Sequence, residues 1–228
     1  MSNNRLNANL FIGSSTFQKD QLFSLLRCFV DIYRDMISKQ CKLENKEEMI
    51  RDSFYCYLDD DSYRNDTPIL QNFHFEKEPQ EGMGYLDIKV KTINPYHSVK
   101  AYYSIECKRL DSKNLRGSAG LNAEYVKNGI CRFVTDYYSS YFGCNVMFGF
   151  LVEAVDVQVD IVDNINLMLK KRYTNAQKKV VRAKVTQQMQ YEDFTNGYPY
   201  SYTSKHQCVP GKELTLYHLM FDFSKNIK

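Results

Sequence analysis

The sequence predicts an α/β fold in which a central mixed β-sheet is flanked by helices, and three features carry that expectation. Two strand-like runs, 85–90 and 103–108, lie close together in the chain and each carries charge within an apolar frame. Two amphipathic helical patterns come before them. A long helical pattern follows and leads into a buried apolar run, 146–152. The expected order is αβββαβ, with one further helix in front and a C-terminal extension behind.

Residues 1–19 are polar and rich in Asn, Ser and Thr, with a brief apolar Leu10-Phe11-Ile12, and are expected to form an arm or an edge strand. The rest, 20–228, is expected to be a single domain with a core over 46–152 and an extension over 153–228. From Asp20, which is placed to cap it, a helix is marked by Leu22, Leu25, Leu26, Phe29, Ile32, Tyr33 and Met36 at helical spacing. A second helix, about 46–58, carries Ile50, Phe54 and Tyr57/Leu58 on one stripe. Glu47 lies one turn before Ile50 on that face, and Glu48 is rotated away. Asp59-Asp60-Asp61 and the turn Asn65-Asp66-Thr67-Pro68 end it, and 73–77 reads as a short strand.

Gly82 and Gly84 lead into the strand that carries Asp87, which Asn94-Pro95 breaks. The strand bearing Glu106 and Lys108 comes next and closes in a polar loop, 111–120. A long helix, 121–141, is expected from Leu121, Tyr125, Ile130, Phe133, Val134, Tyr137, Tyr138 and Tyr141, a broad stripe interrupted by Gly129 that should pack on the sheet. A buried strand at 146–152, an amphipathic helix at 156–172 and a strand at 214–223 complete the chain.

Composition sets outer bounds. With 228 residues, 43% hydrophobic and 25% charged, the chain can bury one sizeable core. A net charge of +3 is too small to mark a nucleic-acid binder by its bulk field, so any such surface must come from local clustering. One cluster exists: Lys170, Lys171, Arg172, Lys178, Lys179, Arg182 and Lys184 fall in a stretch with no Asp or Glu. It suits either the solvated face of a helix or hairpin or a surface that contacts phosphates. The aromatic balance, Tyr 18, Phe 14 and Trp 0, fits core packing and nucleic-acid contact alike. Seven cysteines without C-x-x-C spacing argue against a disulfide framework or zinc site. Neither a signal-peptide core nor a membrane-length apolar run is evident, which leads to the expectation of a cytoplasmic protein with no membrane partner.

The chemistry concentrates in the two charged strands. Alternate side chains of a strand share a face, so Glu106 and Lys108 point the same way while Ile105 and Cys107 point the other. If the strands are neighbours, Asp87 joins that pair. Two carboxylates and an ammonium then suit a hard divalent cation beside a phosphate, with Asp87, Glu106 and the backbone carbonyl of Cys107 as ligands. Lys108 would orient water or neutralise developing charge, and Glu47 would complete the shell through a water. The alternative is that Asp87 and Glu106 end salt bridges at the exposed end of a sheet, and that Glu47 serves the helix dipole.

This order of elements and residues resembles the PD-(D/E)xK nuclease superfamily, the restriction-endonuclease-like fold. In that family a helix carrying Glu precedes a strand with Asp, a strand with Glu-x-Lys, a long helix and another strand. Glu47, Asp87, Glu106-Cys107-Lys108, the 121–141 helix and the 146–152 strand look like those parts, so the likeness covers roughly half the chain. Leu86 stands where the family has Pro, and Leu121 where some branches have the Gln of a Gln-x-x-x-Tyr signature ending here at Tyr125. The segment 125–133 looks like helices of bacterial restriction and phage-defence nucleases. The resemblance implies a Mg²⁺-dependent (or Mn²⁺-dependent) DNA endonuclease with Asp87, Glu106, Lys108 and Glu47 as catalytic residues. Tyr125, Arg132, Lys170, Lys171, Arg172, Lys178, Lys179 and Arg182 would touch nucleic acid. A homodimer, or an ATPase or recognition subunit, would fit as partner. A non-catalytic binding or assembly subunit that keeps the fold, and an RNA-directed nuclease, are the alternatives.

Overall fold

The structure is a computed structural model that describes residues 12–81, 84–93, 102–135, 144–175, 178–208, 211 and 213–228. Most of the expected arm, Gly82, Asn94-Pro95, and Tyr137, Tyr138 and Tyr141 lie outside the described residues. Helix α1, Ile12–Ser38, turns Leu22, Leu25, Leu26, Phe29, Ile32 and Met36 fully inward, as their spacing predicts. It begins eight residues before Asp20, so Asp20 is not its cap. Residues 12–19 contain no proline, and extending a helix costs little once a packed stripe has nucleated it. Helix α2, Glu47–Leu58, buries Ile50, Arg51, Phe54 and Leu58, and α3, Asp61–Asp66, follows with the Asp60 side chain capping the Tyr63 N–H.

Seven strands form one mixed sheet. In chain order the strands are β1 (Phe73–Lys77), the short hairpin β2 (Gln80–Glu81) and β3 (Gly84–Tyr85), then β4 (Ile88–Thr92), β5 (Tyr102–Leu110) and β6 (Cys144–Leu151). A second hairpin, β7 (Arg172–Thr174) and β8 (Val180–Arg182), precedes β9 (Val185–Tyr191), β10 (Ser201–Gln207) and β11 (Glu213–Asp222). Their order across the main sheet is β1-β4-β5-β6-β11-β10-β9. The pairs β5–β6 and β6–β11 are parallel and the others antiparallel. Parallel neighbours require crossovers, and helical segments lie between β5 and β6 and between β6 and β11. Residues 153–228 thus supply three of the seven strands, and β11 lies inside the sheet.

Each sheet face is covered. On one, α1 and α2 pack over Tyr103, Ile105 and Cys107 of β5, together with Phe148, Phe150, Phe221 and Phe223. Phe54 is the hub, with ring centroids 5.1 to 6.1 Å from Phe29, Phe148, Phe150, Phe221 and Phe223. On the other face the crossover helices pack over Leu110, Met147, Leu151, Leu216 and Met220.

Those helices are less regular than their sequences suggest. The first runs as α4 (Leu121–Glu124), a π-helical stretch Tyr125–Ile130, and α5 (Cys131–Val134). Gly129 lets it approach the sheet, because a Cβ there would sit 2.5 Å from Met147 Cε and 3.6 Å from Lys108 Cγ. The second is π-helical over Val157–Val162 and α-helical as α6, Asp163–Met168, so it stops short of Arg172, which begins β7.

The basic stretch, for which the sequence suits a helix face or a hairpin, forms the β7–β8 hairpin, whereas β9 and β10 have no counterpart in the expected elements. β9, an edge strand, has the mostly exposed sequence VTQQMQY, and β10 is buried but polar. A buried hydrogen-bond chain accommodates β10. The Ala183 carbonyl accepts from His206 Nδ1 (2.7 Å), and Ser204 Oγ lies 2.7 Å from His206 Nε2 and 2.8 Å from His218 Nε2. His218 Nδ1 meets the Tyr125 hydroxyl at 2.8 Å. A carbonyl only accepts, so with both rings neutral the tautomers are fixed: Ser204 donates to His206, His218 donates to Ser204, and Tyr125 donates to His218. Burial keeps the rings neutral, pushing His206 down to about 4 and His218 well below the ordinary histidine value. Among the described residues no helix is long and apolar enough to cross a membrane.

Candidate active site

The antiparallel register of β4 on β5 pairs Ile88 with Ile105, so the bend at Asp87, just before β4, comes level with Glu106. Asp87 Oδ2 accepts from the Cys107 N–H at 2.7 Å, and Oδ1 accepts from Arg51 Nη1 at 3.0 Å. The sequence places Asp87 beside Glu106 and Lys108, and the structure brings the three together.

Lys108 lies at the centre. Its ammonium donates to Glu47 Oε1 (2.7 Å) and to the Cys107 carbonyl (2.6 Å), and lies 3.0 Å from Glu106 Oε1 and 4.0 Å from Asp87 Oδ2. Glu47 reaches this point from the first turn of α2, where its second oxygen also accepts from the Arg109 N–H at 3.3 Å. Glu106 is 1% exposed; its Oε1 additionally accepts from Arg132 Nη1 at 2.9 Å, while Oε2 is buried without a hydrogen-bond partner. Exposure rises from Glu106 and Lys108 outward to Asp87, at 14%, and to Glu47 and Arg132, at 29% and 33%, so solvent reaches the outer members of the cluster.

Electrostatics follow from burial. Loss of water pushes the Glu106 carboxyl up to about 7, with the Asp87 charge adding to the rise and Lys108 and Arg132 opposing it. Burial works against the Lys108 charge, but Glu106, Asp87 and Glu47 outweigh it and hold the ammonium above the ordinary lysine value. Burial also drives the Cys107 thiol well up, with Asp87 reinforcing it, so Cys107 offers the site its carbonyl and not a thiolate. The available donors are therefore three carboxylates and a carbonyl, all hard oxygens. Among the described residues no three His, Cys, Asp or Glu side chains form a metal-holding group by themselves, and here the Lys108 ammonium stands between the acids.

Other expected site residues fare differently. Tyr125 is fully buried and bonded to His218, on the stripe expected to pack on the sheet, so the expectation that it touches nucleic acid is corrected: its ring is inside the core. Arg132, expected on the same surface, donates to Glu106 and keeps a third of its side chain exposed. Lys170 and Lys171 lie in the turn after α6, and Arg172, Lys178, Lys179 and Arg182 are exposed on the β7–β8 hairpin. Arg172 stands directly opposite Arg182, and the Lys171 ammonium donates to the Arg116 carbonyl in the loop that follows β5. Sequence reasoning missed Arg51. It sits one turn after Glu47 and next to Ile50, so the helical period alone puts this cation on the buried stripe of α2.

Comparison with known proteins returns no matching family model, no matching curated protein and no matching solved structure.

The raised Glu106 value has a measurable consequence. An acid whose folded pKa exceeds its unfolded value takes up a proton on folding between the two, so stability falls as pH rises from about 4.5 to about 7 and levels off above. Without divalent cations, urea unfolding across that range should show wild type losing roughly 3 kcal/mol relative to Glu106→Gln. His206 and His218 act in the opposite direction over part of the range, but both proteins share them and they cancel in the difference. A pH-independent difference would contradict the assignment.

Proposed function

We propose that the protein is a divalent-cation-dependent nuclease of the PD-(D/E)xK type, hydrolysing DNA phosphodiesters with Mg²⁺, or with Mn²⁺ in its place. The observation that carries this reading is the convergence of Asp87, Glu106, Glu47 and the Cys107 carbonyl on the Lys108 ammonium, with Glu47 partly exposed at its rim. The flanking order, α2, then the antiparallel β1, β4 and β5, then the crossover helix and the parallel β6, is the order that the resemblance implies.

The donor set fits the cation. Mg²⁺ takes oxygen ligands, commonly one or two carboxylates with the rest from water and phosphate, and the buried Glu106 Oε2 is an oxygen with no other partner. Asp87, Glu106 and the Cys107 carbonyl would hold it. When bound, such a cation neutralises charge on the phosphate and makes water a better nucleophile. The chain's own groups supply the rest. Arg132 keeps Glu106 Oε1 fixed, and with a third of its side chain exposed it presents positive charge towards an entering phosphate. Glu47 holds Lys108, whose permanent charge can stabilise the anionic phosphoryl oxygens as negative charge builds.

A second reading, a non-catalytic subunit with the same fold, draws on the many internal partners of Asp87 and Lys108. It does not account for Glu106 Oε2, since an unsatisfied buried oxygen costs about 1–3 kcal/mol or more.

Purified protein should cut DNA when Mg²⁺ or Mn²⁺ is present and stop in chelator. Asp87→Ala, Glu106→Ala and Lys108→Ala should each lower the rate by about 100-fold or more while circular dichroism stays native. Cutting in chelator, or cutting by all three variants, excludes the mechanism; DNA binding without cutting selects the second reading. The basic hairpin is the proposed phosphate surface. Replacing Lys178, Lys179 and Arg182 together by Ala should reduce the slope of log affinity against log salt by about 2–3. An unchanged slope would assign the hairpin to solvent.

A further inference from the structure

Arg51 is a buried cation beside the site that meets the Lys108 cluster through Asp87. Its side chain is 4% exposed and it binds three carboxylates: Nη1 donates to Asp87 Oδ1 (3.0 Å) and Glu78 Oε1 (2.8 Å), and Nε and Nη2 donate to Asp52 Oδ1 (3.0 and 2.8 Å). Glu78 is tied to the same bend a second time, its backbone N–H donating to the Asp87 carbonyl at 3.1 Å. With the Cys107 N–H on the other oxygen, both ends of the Asp87 carboxylate are fixed, one by the sheet and one by α2.

We propose that Arg51 is the positioning residue of the cation site: it sets the orientation of the Asp87 carboxylate and, by neutralising one of its oxygens, weakens that carboxylate's hold on the cation. This rests on Asp87 being a cation ligand, as proposed above. Two physical points carry it. A guanidinium is a planar fork with five donors, so one side chain can hold Asp52, Glu78 and Asp87 at set angles, which a lysine ammonium on a flexible stem cannot do. A positive charge 3.0 Å from a ligand oxygen must also oppose a second positive charge arriving on that carboxylate. Orientation and affinity therefore move in opposite directions at this residue, whereas a plain ion-pair tie between α2 and the bend would move neither except through folding.

The test measures Mn²⁺ affinity by electron paramagnetic resonance without DNA, alongside single-turnover cutting at saturating Mn²⁺, in wild type, Arg51→Met, Arg51→Lys and Asp87→Asn. Arg51→Met should bind Mn²⁺ about 3-fold or more tighter because the opposing charge is gone. It should nevertheless cut about 10-fold or more slowly, because the ligand is no longer aimed. Arg51→Lys, which keeps the charge and loses the fork, should stay within about 2-fold of wild type in affinity and still cut at least about 5-fold slower. Unchanged or weaker Mn²⁺ binding in folded Arg51→Met overturns the proposal, as does wild-type cutting by Arg51→Lys. If Arg51→Met does not fold, Arg51→Lys decides alone: wild-type cutting, or an affinity loss that parallels the rate loss, overturns it. Wild type that binds no Mn²⁺, or Asp87→Asn that binds it as wild type does, removes the cation site itself. That failure is distinguishable from a failure of Arg51's role, which leaves wild-type binding intact.

Discussion

The ammonium of Lys108, 10% exposed and held by Glu47, Glu106, Asp87 and the Cys107 carbonyl, is the interaction around which the middle of this molecule is organised. Taking charges out of water costs several kcal/mol per ion, which close counter-charges and hydrogen bonds must offset. The three acids come from different places, Glu47 from α2, Asp87 from the bend before β4 and Glu106 from β5 itself, so the cluster fixes how those elements meet. The N-terminus of α2 must reach the sheet for Glu47, the bend before β4 must lie against β5 for Asp87, and the crossover helix must come close enough for Arg132 to meet Glu106. Gly129 in the π-helical stretch meets the last condition, since a side chain there would strike Met147.

Charge is arranged in shells. Lys108 lies inside, the three acids surround it, and Arg51 and Arg132 stand behind Asp87 and Glu106 on opposite sides of the sheet. The apolar layers keep this arrangement rigid: the aromatic group around Phe54 anchors α2, and the residues around Met147 and Leu110 seat the crossover helix. Dry surroundings are also what raise Glu106, because the same packing that fixes the carboxylate removes the water that would favour its charge.

Much of this was legible where apolar period and function coincide. The stripes of α1 and α2, the alternation in β5 and the run in β11 are strong periodic signals, and Glu106 and Lys108 stand out as charges inside one of them. Asp87 was found because its strand is a neighbour of β5, which sequence proximity favours. The misses have physical causes. β10, SYTSKHQ, carries no apolar alternation to mark it as a strand, and the partners that let it be buried, His218 and Tyr125, are distant in sequence. β9 is an edge strand with little apolar face to reveal it. The helical period places Tyr125 on the stripe that packs on the sheet, where it lies, whereas the nucleic-acid contact that the resemblance implied for it would need an exposed ring. Arg51 was visible as a cation on a buried stripe, but its three acids are spread over 36 residues of chain and only the fold gathers them.

The central claim is that these oxygens, gathered around the lysine ammonium, form a cation site. Crystals soaked in Mn²⁺ and measured at the manganese absorption edge test it most directly. The account predicts an anomalous peak in contact with the carboxylates of Asp87 and Glu106 and the Cys107 carbonyl, with the Lys108 ammonium moved off that carbonyl. A map with no peak there, and Lys108 still bonded to Glu47 and Cys107, would contradict it.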